Sequence, residues 1–280
     1  MNLEEQIQEL INQRLDKTEL ASQLGFFSKP VRITADNIEY VVKLYKPLTN
    51  QKVIGTIIDN HDKYVIQMRK VGIKIPETTL MKRSVGKKTI LLIVQEAYPE
   101  NELTRGMIET GDEEKVLHLM KLLIDDSILF WTNKPEGRKL GFHPTTRNYA
   151  LTTNGLEYFD TFPPMLMEQK ELNKIILQMA PVKVNVNGVI PLKMVNHVSD
   201  EYYMIDKMIS GIVGSTCRLR PELRDDILEF SRNYIQKNIH LSEEEKSGVL
   251  ILLNKPPQLS GLWVTLRKFF GKPGRPNLKS

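Results

Sequence analysis

The stretch NYALTTNGLEYFD, residues 148–160, constrains the fold of this chain more than any other. An Asn-Gly pair between two alternating apolar segments is a strong short-range signal for a β-hairpin, because Gly and Asn take the positive φ angles that tight turns need. The expected turn lies at 154–155. The first strand should begin just after Asn148 and the second should end on Asp160. Those two residues then occupy adjacent strand ends. A carboxylate and an amide oxygen placed together are oxygen ligands of the kind that Mg²⁺ takes. Read singly, Asn148 is equally a turn residue, and Asp160 a strand terminator or a helix cap ahead of TFPPM.

The rest of the chain frames that hairpin. Leu3, Ile7, Leu10, Ile11 and Leu15 recur at helical spacing, so residues 2–15 predict an amphipathic helix. PVRIT (30–34), a polar turn (35–37) and IEYVVKLYK (38–46) predict a hairpin. A helix is expected over at least part of 51–71, ending at Gly72. A second hairpin comes next, with a strongly apolar inner strand at 89–95. This order implies a small antiparallel sheet carrying one helix. After Pro99 the character changes. Residues 113–131 are apolar on most faces, which predicts a long helix buried at the centre of a second lobe. Helices are expected over roughly 165–179, 200–215, 221–239 and 242–254. Pro221 suits a first turn, and Ser242 with Glu245 forms a capping box. VKVNVNGVIPL (182–192) predicts a short hairpin or an extended loop. The basic tail from Lys272 has the composition of a disordered segment.

Composition bounds the function. With 280 residues the chain can bury a large core, as one domain or two lobes. It lacks any apolar run long enough to span a bilayer, so no membrane partner is expected. The N-terminal segment is acidic and amphipathic, unlike a secretory signal. The single Cys217 permits no intramolecular disulfide and fits a reducing compartment. Together these imply a cytoplasmic protein. The net charge of +5 suits a phosphate-bearing ligand. Neither zinc-finger spacing nor an RNA-binding motif accompanies it, so nucleic acid is not the expected partner. His61, His118, His197 and His240 show no metal-ligand spacing.

Four segments resemble the protein-kinase-like superfamily, nearest to its aminoglycoside and small-molecule phosphotransferase branch. The resemblance covers roughly residues 20–165. In YVVKLYK, Lys43 occupies the strand position from which such folds hold the nucleotide α- and β-phosphates. The family pairs that Lys with a helix Glu. Residues 51–75 contain no Glu, and counting back from Gly72 lands on His61, with Asp62 beside it as the candidate acid. In ILLIVQEAYPENE, backbone groups near Gln95, Glu96, Ala97 and Tyr98 would meet the adenine edge. In GFHPTTRNYALTTNGLEYFD, Asn148 and Asp160 match the Mg²⁺ ligands, and His143 stands where the family has its catalytic Asp.

The resemblance implies an α+β, protein-kinase-like two-lobed fold. A small antiparallel β lobe with one helix would span 1–98, and a mainly helical C-terminal lobe would span 99–271 with the metal-binding hairpin. It further implies ATP and Mg²⁺ as cofactors and a small-molecule hydroxyl as acceptor. That acceptor would be cationic if Asp200, Glu201 and Asp206 line its pocket. His143 is then a substitute base or a hydroxyl-orienting group. The alternative is a pseudokinase that binds nucleotide or scaffolds a protein partner without chemistry. Three departures favour it: His143, the missing helix Glu, and a glycine-poor segment around Gly25, Ser28 and Lys29 where phosphate-covering loops are glycine-rich.

Overall fold

The computed structural model describes residues 2–15, 28–136, 139–179 and 199–254. The expectations for 182–192, for the tail from Lys272 and for Gly25 lie outside the described residues, while Ser28 and Lys29 open the first strand. The fold is α+β, a four-stranded antiparallel sheet succeeded by a mainly helical remainder. Helix α1 (Leu3–Leu15) leads into β1 (Ser28–Ala35) and β2 (Ile38–Tyr45). Asp36 and Asn37, at φ 50° and 65°, make the tight turn between these strands. Helix α2 (Gln51–Lys70) then crosses over, and β3 (Thr79–Val85) and β4 (Lys88–Glu96) complete a sheet of order β1-β2-β4-β3.

Strand β4 is buried along almost its whole length because both faces of the sheet are covered. Side chains alternate between faces along a strand. Ile90, Leu92 and Val94 join Val42 and Leu44 against Ile7, Leu10 and Ile11 of α1. Leu91 and Ile93 join Tyr45 on the opposite face, packed with Ile54, Ile57, Tyr64 and Met68 of α2. The sheet therefore carries two helices, one per face, rather than one. Lys43 shares its face with Tyr45, on the α2 side.

Helix α3 (Thr104–Thr110) precedes α4 (Glu113–Asn133), whose Leu119, Met120, Leu123, Ile124 and Phe130 are fully buried. The short hairpin β5 (Tyr149–Thr152) and β6 (Gly155–Tyr158) comes next. Its turn is centred on Thr153 and Asn154, one residue earlier than the Asn-Gly pair suggests, since Thr152 pairs with Gly155. Gly155 alone there takes a positive φ, 102°, so a single glycine satisfies the turn. Helices α5 (Gln169–Met179), α6 (Ile205–Leu219), α7 (Arg224–Lys237) and α8 (Glu243–Leu253) complete the described fold. Pro221 opens a short 3-10 turn ahead of α7, and Ser242 and Glu245 form the expected capping box on α8. One continuous apolar core runs from Tyr45 on the sheet through α4 to Leu253 on α8.

Helix α2 ends in a Schellman arrangement, with Ile73 N donating to Met68 O (3.0 Å) and Gly72 N to Arg69 O (3.1 Å). Gly72 sits at φ 98° and turns the chain toward Lys74, whose carbonyl accepts from Tyr158 N of β6 (2.8 Å). That turn ties α2 to the hairpin. A Cβ at Gly72 would meet Leu129 Cδ2 at 3.0 Å, a side-chain tip that can move, so the strained φ dominates the cost. Gly72→Ala should lower unfolding free energy by roughly 1–3 kcal/mol in chemical denaturation. An unchanged midpoint would show that this turn relaxes freely.

Candidate functional site

Lys43 lies mid-strand, opposite Ile93 of β4 and Pro30 of β1. An ammonium in an apolar strand is costly to bury without a counter-charge. Only 7% exposed, Lys43 donates Nζ–H to Phe159 O (2.8 Å), and Nζ lies 5.1 Å from the Phe159 ring centre. The next residue is Asp160. Burial lowers the Lys43 pKa, and the Asp160 charge opposes that shift. Burial likewise raises the Asp160 pKa, against Lys43, Arg147 and a hydrogen bond with Asn148. Desolvation outweighs the mutual attraction for both groups, so the enclosure favours the neutral form of each.

Asn148 and Asp160 meet because the hairpin closes on them: Phe159 N donates to Asn148 O (3.0 Å). The loop before the hairpin is held from three sides. Asn148 Nδ2 donates to His143 O (3.0 Å), and Thr145 N donates to the same carbonyl (2.9 Å). Thr104 Oγ1 donates to Thr146 O (2.7 Å), while Thr146 and Ser215 of α6 share a hydroxyl hydrogen bond (3.0 Å). Tyr64 of α2 donates to Gly141 O (3.1 Å). With its Nδ2 engaged, Asn148 keeps its amide oxygen for a ligand. Among the described residues no group of three or more His, Cys, Asp or Glu could hold a metal ion. A divalent cation here would take Asp160 and Asn148 and draw its other oxygens from ligand and water. Mg²⁺ is commonly bound in that way.

His143 packs edge-on against Tyr202, ring centres 4.6 Å apart. Burial, with Arg147 nearby, lowers its pKa to about 3. The imidazole is therefore neutral near pH 7, and it is a weak proton acceptor. Its ring nitrogen can still accept a hydrogen bond from a hydroxyl.

Asp62 does not reach Lys43. Its side chain is 86% exposed and meets His61 Nδ1 at 3.0 Å. The inward-facing residue of α2 is His61, fully buried, with Nε2 3.3 Å from Thr161 Oγ1. Helical periodicity carries this signal: His61 falls on the stripe of Ile54, Ile57, Tyr64 and Met68, and Asp62 falls beside it. Asp59 is not buried in this way. At the end of β4, Gln95 is buried and donates to Thr78 Oγ1 (2.8 Å), while Glu96 is exposed. Ala97 N already donates to Glu39 O (2.8 Å), and Tyr98 O accepts from Arg32 (2.8 Å). The Tyr98 phenol donates to Glu157 (2.6 Å), and its ring lies 5.8 Å from that of Phe159. The structure thus brings Lys43, Asn148, Asp160 and Arg147 into one electrostatic cluster and His143 onto its loop. It places Asp62 outside and engages much of the 95–98 segment internally. Sequence reasoning misses Phe159, Thr161 and Tyr202, which carry no motif of their own.

A pH titration separates His143 from its surroundings. A His whose folded pKa lies below 6.5 leaves the unfolded chain holding more protons between about pH 3 and 6.5. Its contribution to stability is present above pH 6.5 and is lost as pH falls toward 3. The stability of wild type relative to His143→Gln should therefore decline from pH 6.5 to 4.5 in urea unfolding. A flat difference would contradict the depressed pKa.

A family model described as a family of unknown function (DUF6206) matches residues 2–274, and the chain belongs to that family. No curated protein matches the chain.

Proposed function

We propose that this family member binds ATP with Mg²⁺ in a protein-kinase-like cleft and transfers a phosphoryl group to a small-molecule hydroxyl. One observation carries the reading: Lys43 from the sheet meets Asn148 and Asp160 from the hairpin, with Lys43 Nζ on the carbonyl of the residue before Asp160 and Asn148 hydrogen-bonded to the Asp160 carboxylate. Strand order adds support. A Lys on β2, a helix crossing after it, and a sheet of order β1-β2-β4-β3 are what a reduced kinase-like small lobe requires. Kinase-like lobes, nucleotide and acceptor are all part of this proposal.

Each residue then has a role. Lys43 spends one of its three N–H donors on Phe159 O and keeps two for phosphate oxygens. Asp160 and Asn148 would hold Mg²⁺, which when bound offsets the charge of the phosphates. Arg147 adds positive charge beside them. Phosphoryl transfer depends mainly on positioning and electrostatics, so it does not require a strong base. His143 orients the acceptor hydroxyl through its neutral ring nitrogen. As a general base it would be mismatched, because efficient bases have pKa values near the working pH.

The same depressed pKa favours a second reading, a nucleotide-binding module without turnover. The engaged groups of Ala97 and Tyr98 point the same way. Isothermal titration with ATP and Mg²⁺ tests both readings. Wild type should bind, and Lys43→Ala should weaken binding by roughly 10- to 100-fold, the value of a charge-assisted hydrogen bond. Asp160→Asn should remove the Mg²⁺ dependence. Absence of wild-type binding would sink both readings. Binding with no ATP consumption, in wild type and in His143→Asp alike across candidate hydroxyl acceptors, would leave only the second.

A further inference from the structure

We propose that Asp62, His61 and Thr161 form a hydrogen-bonded chain that positions the Asp160 carboxylate, linking helix α2 to the hairpin end by an imidazole. The proposal rests on the reading of Asp160 as a metal ligand. Its geometry is independent of that reading. His61 is fully buried on the core stripe of α2, and Thr161 is 1% exposed directly after Asp160. Nothing else in the nucleotide scheme accounts for a buried imidazole at this point.

Hydrogen-bond chemistry fixes the direction of the chain. An ionised carboxylate only accepts, so the 3.0 Å contact from Asp62 Oδ1 places the proton on His61 Nδ1. A neutral imidazole carries one N–H, so Nε2 is left as an acceptor. The Thr161 hydroxyl, 3.3 Å away, must then donate to it. The exposed Asp62 thus sets a tautomer, the tautomer creates a buried acceptor, and the acceptor holds the rotamer of Thr161. Fixing Thr161 restricts the backbone that carries Asp160. His61 and Thr161 are positioning residues, and neither touches the ligand. The arrangement parallels metal sites in which outer partners orient a ligand, where losing the partner typically costs 10- to 100-fold in metal affinity.

Two measurements on the full chain test the proposal. The first is ¹⁵N NMR of histidine-labelled protein without ligand. It should show His61 as the Nδ1–H tautomer in wild type, with the Nε2–H form gaining population in Asp62→Ala. A wild-type Nε2–H tautomer would overturn the chain whatever the protein binds. The second is a Mg²⁺ titration at fixed ATP. Thr161→Val, close in shape to the native residue, should raise the Mg²⁺ concentration at half-saturation about tenfold, while Mg²⁺-free ATP affinity stays within about twofold. Thr161→Ser keeps the hydroxyl and should restore the wild-type value. His61→Phe combined with Thr161→Val should be no worse than either alone. Unchanged Mg²⁺ dependence in Thr161→Val, with wild type binding ATP, would overturn the positioning role and leave the nucleotide reading intact. A wild type that binds no ATP would overturn the nucleotide reading and the positioning role together, even if the tautomer is as expected.

Discussion

The opposition of Lys43 and Asp160 is the constraint on which the rest of the site depends. Pairing with β1 and β4 fixes the backbone of Lys43, and the Phe159 carbonyl holds its ammonium. Asp160 is held at the far end of a four-residue strand pair whose own hydrogen bonds could not fix it alone. A shared core holds them together: Tyr45 beside Lys43, Tyr64 of α2 and Tyr158 of β6 all belong to one apolar cluster. The two charges stabilise each other, yet burial still pushes both toward their neutral forms. Charges whose desolvation outweighs their attraction add little to stability. In the function proposed above, the ligand would supply negative oxygens for Lys43 and a cation for Asp160.

Around that pair the structure divides labour between rigid and engaged parts. The loop carrying His143 is fastened by Thr104, Ser215, Tyr64 and Asn148, so its imidazole cannot relocate freely. Phe159 lies between Lys43 and Tyr98, and Tyr98 is tethered to Glu157. These contacts place two aromatic rings beside Lys43. Among the described residues no helix is long and apolar enough to cross a membrane.

Much of this is legible in the sequence. Hairpin patterning marks the strands, and the intervening helix explains why β2 neighbours β4. Lys43 is identifiable as a Lys in an apolar strand, and Asn148 with Asp160 are identifiable from the hairpin. Three things are not visible. The second covered face is signalled by the unbroken apolar run of β4, but that run does not say that α1 is the element covering it. The Asn-Gly pair points one residue late because such pairs usually occupy both central positions, whereas here only Gly155 needs a positive φ. Asp62 looks a better partner than His61 because a Lys suggests a carboxylate. Stripe counting puts His61 inside and Asp62 in solvent. The depressed pKa of His143 arises from tertiary enclosure, with Tyr202 supplied from beyond Ser199, and no local motif encodes it.

The most direct test is a crystal structure of the full chain grown with Mg²⁺ and a non-hydrolysable ATP analogue. Phosphate oxygens should lie within hydrogen-bond distance of Lys43 Nζ, with a metal ion bridging Asp160, Asn148 and those oxygens. A nucleotide bound elsewhere, or a Lys43–Phe159–Asp160 cluster unchanged and free of ligand at saturating analogue, would contradict the phosphate-site reading.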